Sequence, residues 1–250
     1  MSAFDERFAD CSMSAPALET FKQLLYSDGG TLCFADGAVA QQRMAMVDFR
    51  ALVKALYREP TFLMRLRVTA ETDIDKLLAY WADCGCSRDL KPLFESLARV
   101  PGGGSINVEH LLPPFARLRL YTHGPMATEA LKSRMNCFWT ALNFFNEQPD
   151  AQYLDTRSVL NTLQRDYYAP DGPRKFGDLI CLMDSSNHPA HICVYIADDV
   201  VFTKNGVDDR QPWVLLRLAD MIVEYPSRPP YRVVTLRRKK ENEGVARHAG

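Results

Sequence analysis

Cys137 stands at the head of the stretch NCFWTALNFF, directly after Asn136. The pattern predicts a helix that opens on a thiol. A helix start carries partial positive charge and free N–H groups, which lower a thiol's pKa and expose a nucleophile. Asn136 is a good N-cap residue, and the Cys137 N–H is placed to stabilise an oxyanion. A nucleophilic thiol also needs a base. The candidate is His191, which begins HICVYIAD. In a strand, His191, Cys193 and Tyr195 share one face, while Ile192, Val194 and Ile196 share the other. The aliphatic face reads as core. If the Cys137 helix packs over the mixed face, the small Cys193 makes room and His191 reaches Cys137.

A general-base histidine needs an acceptor on its second nitrogen. The following run, VVFTKNG, reads as the hairpin partner strand. A three-residue turn of Asp198, Asp199 and Val200 would set Tyr195 opposite Thr203 and Cys193 opposite Asn205. Both candidates then share the His191 face. A two-residue turn would bring Phe202 and Lys204 there, and neither is an acceptor. Asn205 has the longer reach and a carbonyl oxygen, so it is the expected third residue. Thr203 is the runner-up and Asp208 the third choice. Against this stands an ordinary use of Asn205-Gly206 as a turn.

Other reactive-looking groups have plainer readings. Cys193 lies two residues from His191, roughly 6.5 Å along a strand, too far for a hydrogen bond. Cys181 sits inside an apolar run and reads as core. His188 and His191 form H-x-x-H, yet a zinc site wants three or four convergent ligands, and no metal is expected. Cys84-Gly85-Cys86 is too tight for the usual C-x-x-C spacing. PGGGS, from Pro101, lacks the Lys and Ser/Thr of a phosphate loop and reads as a turn or linker. Arg237, Arg238, Lys239 and Lys240 read as a solvated strand end. The aromatic run Phe138, Trp139, Phe144 and Phe145 reads as core.

The elements that must position these groups change character along the chain. PALETFKQLLYSDGG carries apolar residues at helical spacing and reaches a stop signal at Gly29 and Gly30. Further amphipathic runs follow in MVDFRALVKALYREPTFLMRLRV, ETDIDKLLAYWADCG, RDLKPLFESLARV and HLLPPFARLRLYTHG. From about Cys137 the pattern is one helix, then short β-rich runs: DLICLMD, HICVYIAD, VVFTKNG and PYRVVTLRR. The expected class is α+β, with a mostly helical domain over 1–125 and a helix-plus-antiparallel-sheet domain over 126–250.

NCFWTALNFF, then FGDLICL, then HICVYIADDVVFTKNG, resembles the NlpC-like branch of the papain-like cysteine peptidases. The likeness covers about residues 130 to 236. It implies a papain-like (NlpC-type) domain with Cys137 as nucleophile and His191 as base. Gly177 and Asp178 would form the turn before the central strand. Asn205 would complete a Cys-His-Asn set, although Thr203 holds the family's usual slot for the third residue. This sequence departs from the family in carrying Phe138-Trp139 where Ser-Gly commonly follows the cysteine. The departure leaves the reaction class and puts the cell-wall substrate in doubt.

Composition bounds the partners. The net charge of -1 argues against bulk binding to nucleic acid or an acidic membrane surface. A hydrophobic share of 47% argues against wholesale disorder. No run approaches the roughly 18 apolar residues of a membrane span. The N-terminal stretch has acids and no apolar run, so it does not read as a signal peptide. Seven scattered cysteines fit a reducing compartment, so the cytoplasm is expected, with leaderless export as the alternative. The sequence reads as a thiol hydrolase cleaving a peptide or amide substrate, with no cofactor implied. Acyl transfer by the same Cys/His pair, or a papain-like module kept for binding, are the alternatives.

Overall fold

A computed structural model describes residues 8, 10–81, 87–124, 135–208 and 210–239. The chain divides into two compact units, Met1–Glu59 and Pro60–Gly250. The boundary expected near residue 125 falls in 125–134, outside the described residues, as do Cys84, Gly85 and Cys86.

In the first unit, helix α1 (Ala15–Gln23) starts after Ser14, whose hydroxyl accepts from the Ala17 N–H. It buries Ala17 and Phe21, one turn apart. A hairpin of β1 (Leu25–Asp28) and β2 (Thr31–Phe34) follows. Gly29 and Gly30, expected to stop a helix, are instead its two-residue turn, both at positive φ as such a turn requires. Helices α2 (Gly37–Arg43) and α3 (Met46–Leu56) complete the unit. α3 buries Phe49, Leu52, Val53 and Ala55 at helical spacing.

The second unit begins with a small antiparallel pair, β3 (Arg65–Val68) and β4 (Gly104–Asn107). Between and after them lie α4 (Ile74–Trp81), α5 (Ser87–Arg99) and α6 (Pro114–Arg119). Then come α7 (Cys137–Leu142), a 3-10 turn (Ala151–Leu154), α8 (Thr156–Asp166) and the main sheet. Its strands are β5 (Tyr167–Tyr168), β6 (Leu179–Met183), β7 (Pro189–Ala197), β8 (Val200–Lys204), β9 (Trp213–Arg217) and β10 (Arg232–Arg238). They order as β5-β10-β6-β7-β8-β9, with every pair antiparallel. Helix α9 (Leu218–Val223) lies between β9 and β10 in sequence. The architecture is α+β.

The sheet has two differently covered faces. On one, Cys137, Trp139, Ala141 and Leu142 of α7 share a core with Ile192, Val194, Ile196 and Phe202. Val68, Trp81, Phe94 and Phe115, from the segment ahead of α7, belong to that same core. On the other face, Ile180, Leu182, Cys193, Val201 and Val214 pack with Leu218 and Met221, against Tyr195 and Tyr225. The Cys137 helix was expected on the mixed His191 face; it packs on the aliphatic face. The reason is area. Three β-branched side chains bury more apolar surface under α7 than the His191 face offers.

The outer edge of β9 is also covered. The Phe62 N–H donates to the Leu215 carbonyl at 3.0 Å, and the Tyr121 N–H to the Trp213 carbonyl at 2.8 Å. Trp213 returns its own N–H to Thr122 at 3.0 Å. Thr61 brackets Leu215, its hydroxyl donating to the carbonyl and accepting from the N–H. Among the described residues no helix is long and apolar enough to cross a membrane.

Candidate active site

The β7–β8 hairpin sets the geometry. Asp198 and Asp199 form a two-residue turn, both at positive φ. Tyr195 pairs with Val201 and Ala197 with Val200, so Ile196 is an extra residue on β7. The expected three-residue turn is therefore replaced by a shorter turn plus a bulge. Both add the same parity, so Thr203 stays on the His191 face, and Phe202 and Lys204 face α7. The pairing itself has slipped by two: Val201, not Thr203, lies opposite Tyr195.

The β7–β8 pairing ends at Val194 and Phe202. Beyond that point β7 stays with β6 through His191 and, after a register shift, to Pro189, and β8 stays with β9 as far as Lys204. His191, Ile192 and Cys193 thus lie where two strands cease to pair, and the start of α7 lies beside them.

Cys137 is the first residue of α7. Asn136 caps the helix as expected, its side-chain oxygen accepting from the Trp139 N–H at 3.0 Å. The sulfur receives the backbone N–H of Ile192 and those of Phe138 and Cys137, all of which favour the thiolate, as does the charge of Lys204. Burial outweighs them. Cys137 is 5% exposed, and desolvation pushes its thiol up to about 11. The helix start was expected to lower that pKa; a helix of six residues under a full apolar layer does not overcome the loss of water.

His191 is fully buried, and burial pushes its imidazole down to about 3, so it rests neutral. Nε2 lies 3.0 Å from the Thr203 hydroxyl. The Tyr225 ring packs on the imidazole with centroids 4.2 Å apart. Nδ1 is buried and, among the described residues, has no hydrogen-bond partner. A buried N–H without an acceptor costs more than an unused lone pair. The proton is therefore assigned to Nε2, donating to Thr203, and Nδ1 carries a lone pair. The Thr203 hydroxyl donates onward to the Asn205 side-chain oxygen at 3.5 Å.

Asn205 was expected to hold His191; Thr203 holds it, and Asn205 stands one bond further out. The two-residue slip in pairing is the cause, since it brings a short side chain close enough to replace the longer one. Asp208 is not on His191. Its carboxylate pairs with Arg210, and its carbonyl accepts from Lys204 Nζ at 2.6 Å. Cys193 is buried and its thiol donates to the Ile180 carbonyl at 3.7 Å. Cys181 lies in the core under α7.

Gly177 and Asp178 frame the entry to β6. Gly177 has φ +85, and a Cβ there would lie 2.4 Å from the Phe145 ring. Asp178 is buried and grips Arg237 through two bonds of 2.8 and 2.7 Å. Arg237, read as part of a solvated strand end, is thus a structural clamp. Its partner was hidden because β6 and β10 lie far apart in sequence.

Beside Cys137 lies a cleft of about 250 Å³. Asn136 and Phe138, which flank the cysteine, line it with Tyr153, Leu154, Val159 and Leu160, and with His188 and Pro189 at the start of β7. Among the described residues no Asp, Glu, Lys or Arg lines it. His188 is exposed, 3.9 Å from Asp184, well apart in character from the buried His191.

Lys204 is the residue that sequence reasoning set aside. It is 1% exposed and bonds the carbonyls of Asp208 and Gly206. The legible signal was its alternation with Val200 and Phe202, two core residues of the same strand face.

A scan against protein-family models returns no match, and a search of curated proteins returns none either.

Proposed function

We propose that this chain is a thiol hydrolase with a papain-like, NlpC-type domain, cleaving a peptide or amide bond through Cys137 and His191. The observation that carries the reading is the state of His191. Its Nε2 is held by Thr203 while Nδ1 is left with an unused lone pair, one residue from the Ile192 N–H that contacts the Cys137 sulfur.

In this reading Nδ1 takes the Cys137 proton as the sulfur attacks the substrate carbonyl. The C–N bond then breaks, and His191 returns that proton to the leaving amine, giving an acyl-enzyme. Water next attacks the thioester, losing its proton to Nδ1, and the thiol is restored as the acid departs. The resting pair is neutral thiol and neutral imidazole, so the charges arise only during reaction. The cleft beside Cys137 suits an apolar group on the acyl side.

The test is direct acylation. Activated esters and peptide anilides of graded side-chain size are incubated with the protein, and intact-mass spectrometry follows the adduct. A single acyl adduct that maps to Cys137 and is absent from Cys137→Ala is expected. No adduct on Cys137 with any probe overturns the reading.

One observation favours a second reading. Cys137 and His191 are 5% and 0% exposed, so the pair is closed to solvent. A papain-like module kept for binding would look the same. Acyl transfer to an acceptor other than water uses the same residues.

A further inference from the structure

We propose that Tyr225 is a positioning residue for His191: its ring face holds the imidazole plane and supports the positive charge that His191 takes up during reaction. This deepens the reading of His191 as the base and rests on it. The two rings lie face toward face, with centroids 4.2 Å apart and planes inclined by 32°. An aromatic ring attracts a cation that stands over its face within about 6 Å of the centroid. The end of α9 places Tyr225. Leu218, the first residue of that helix, donates its N–H to the Asp199 carbonyl at 2.7 Å, which ties α9 to the β7–β8 turn. Leu218 and Met221 are buried on the His191 side of the sheet. The Tyr225 N–H closes the last turn on the Ile222 carbonyl at 3.0 Å. Pro226 has no N–H to continue the helix and disfavours a helical Tyr225, so the chain turns away there.

A base that becomes charged in a dry site needs an electrostatic partner. Among the described residues no carboxylate pairs with His191. Its Nε2 meets the Thr203 hydroxyl, which meets the Asn205 side-chain oxygen, so that chain offers dipoles and no charge. Asp208, a little further along, pairs with Arg210. Burial keeps His191 neutral at rest. Burial also pushes the Tyr225 phenol up, so a neutral ring faces the imidazole and supplies a quadrupole rather than a charge. The plain alternative is that Tyr225 only fills the core of this face. Ile180, Leu182, Val201, Val214, Leu218 and Met221 already do so without a ring. Tyr225 adds a π face, and it stands over the side chain that becomes a cation in the reaction.

Replacing Tyr225 in the full chain tests this. Tyr225→Phe keeps the ring. Phenylalanines with one, three or five fluorines at position 225 keep the shape and drain electron density from the ring face. Tyr225→Leu keeps an apolar cover without a ring. Each variant is incubated with the same activated esters and peptide anilides, and intact-mass spectrometry gives the rate of acylation at Cys137. Tyr225→Phe is expected to match the parent. Acylation is expected to slow stepwise with fluorination, reaching about 10- to 30-fold in the pentafluoro ring, and to be as slow in Tyr225→Leu. If Tyr225→Leu fails to fold by circular dichroism, the fluorinated series, which fills the same space, decides the matter. An acylated parent with an unchanged rate across that series overturns the proposal, since packing needs only the shape. Tyr225→Phe as slow as Tyr225→Leu also overturns it, because the role would belong to the hydroxyl. Faster acylation in Tyr225→Leu does the same, since the ring would then be only a cover. A parent that no probe acylates overturns the hydrolase reading itself, and this proposal falls with it.

Discussion

The two faces of the main sheet hold different halves of the candidate chemistry. The face under α7 holds the proposed nucleophile, Cys137, and the buried Lys204. The opposite face holds the proposed base, His191, with Thr203 on its Nε2 and the Tyr225 ring over it. On the hydrolase reading they meet where the β7–β8 pairing has ended, beyond Val194 and Phe202. A flat, fully paired sheet would keep the two apart, because strand alternation sends neighbouring side chains to opposite sides. On that reading the end of the β7–β8 pairing belongs to the proposed site as much as the side chains do.

The largest effects should come from removing one side altogether. Cys137→Ala is expected to abolish acylation. His191→Gln is expected to slow it by about 10²–10⁴-fold, the usual worth of a general base. Acylation of Cys137 at an undiminished rate in His191→Gln would separate the two faces and break the comparison.

A sharper test lies within the base face. Thr203→Val leaves the Nε2–H unpaired and is expected to lower turnover by about 10–100-fold, from the ~1–3 kcal/mol cost of an orphaned buried donor. Asn205→Ala, one bond further out, is expected to cost only severalfold. The reverse order, measured as kcat/KM with folded variants, would restore Asn205 as the direct partner.

The buried base also leaves a mark on stability. His191 is held near 3 in the folded state and titrates near 6.5 when unfolded. Between those values the unfolded chain binds a proton that the folded chain refuses. Stability therefore falls as pH drops from about 6.5 toward 3, by up to ~1.4 kcal/mol per pH unit from this group. Urea unfolding across that range should show the slope, and His191→Gln should flatten it. An unchanged slope in the variant would mean that His191 is not buried neutral.

The smallest effect belongs to the cleft. Leu160→Trp narrows it without touching Cys137 or His191. KM for esters with bulky apolar acyl groups is expected to rise severalfold, with little change for acetyl esters. An equal effect on both would place substrate elsewhere.

Much of this was legible in order and type, and little of it in register. DLICLMD, HICVYIAD, VVFTKNG and PYRVVTLRR each form a strand, because β-branched runs between turn residues have few other outcomes. The cap at Asn136 was equally readable, since it depends on neighbours in sequence. Three things were not. A bulge at Ile196 is a one-residue event with no composition signal, and it decided between Thr203 and Asn205. The face that α7 chose depended on summed burial across strands. Desolvation of Cys137 came from a layer built partly by residues 68–120, whose packing no local pattern announces.

Thr61, Phe62, Tyr121 and Thr122 give one further consequence. By bonding the outer side of β9 they leave no row of vacant amides there for another chain to join. A fragment begun near residue 125 would keep Cys137 and His191 yet expose WVLLR, five residues of mostly aliphatic strand, as a template for intermolecular addition. Such a fragment should self-associate in proportion to its concentration, and a proline in that strand should suppress the association. In this molecule the segment ahead of Cys137 acts as a guard against its own kind.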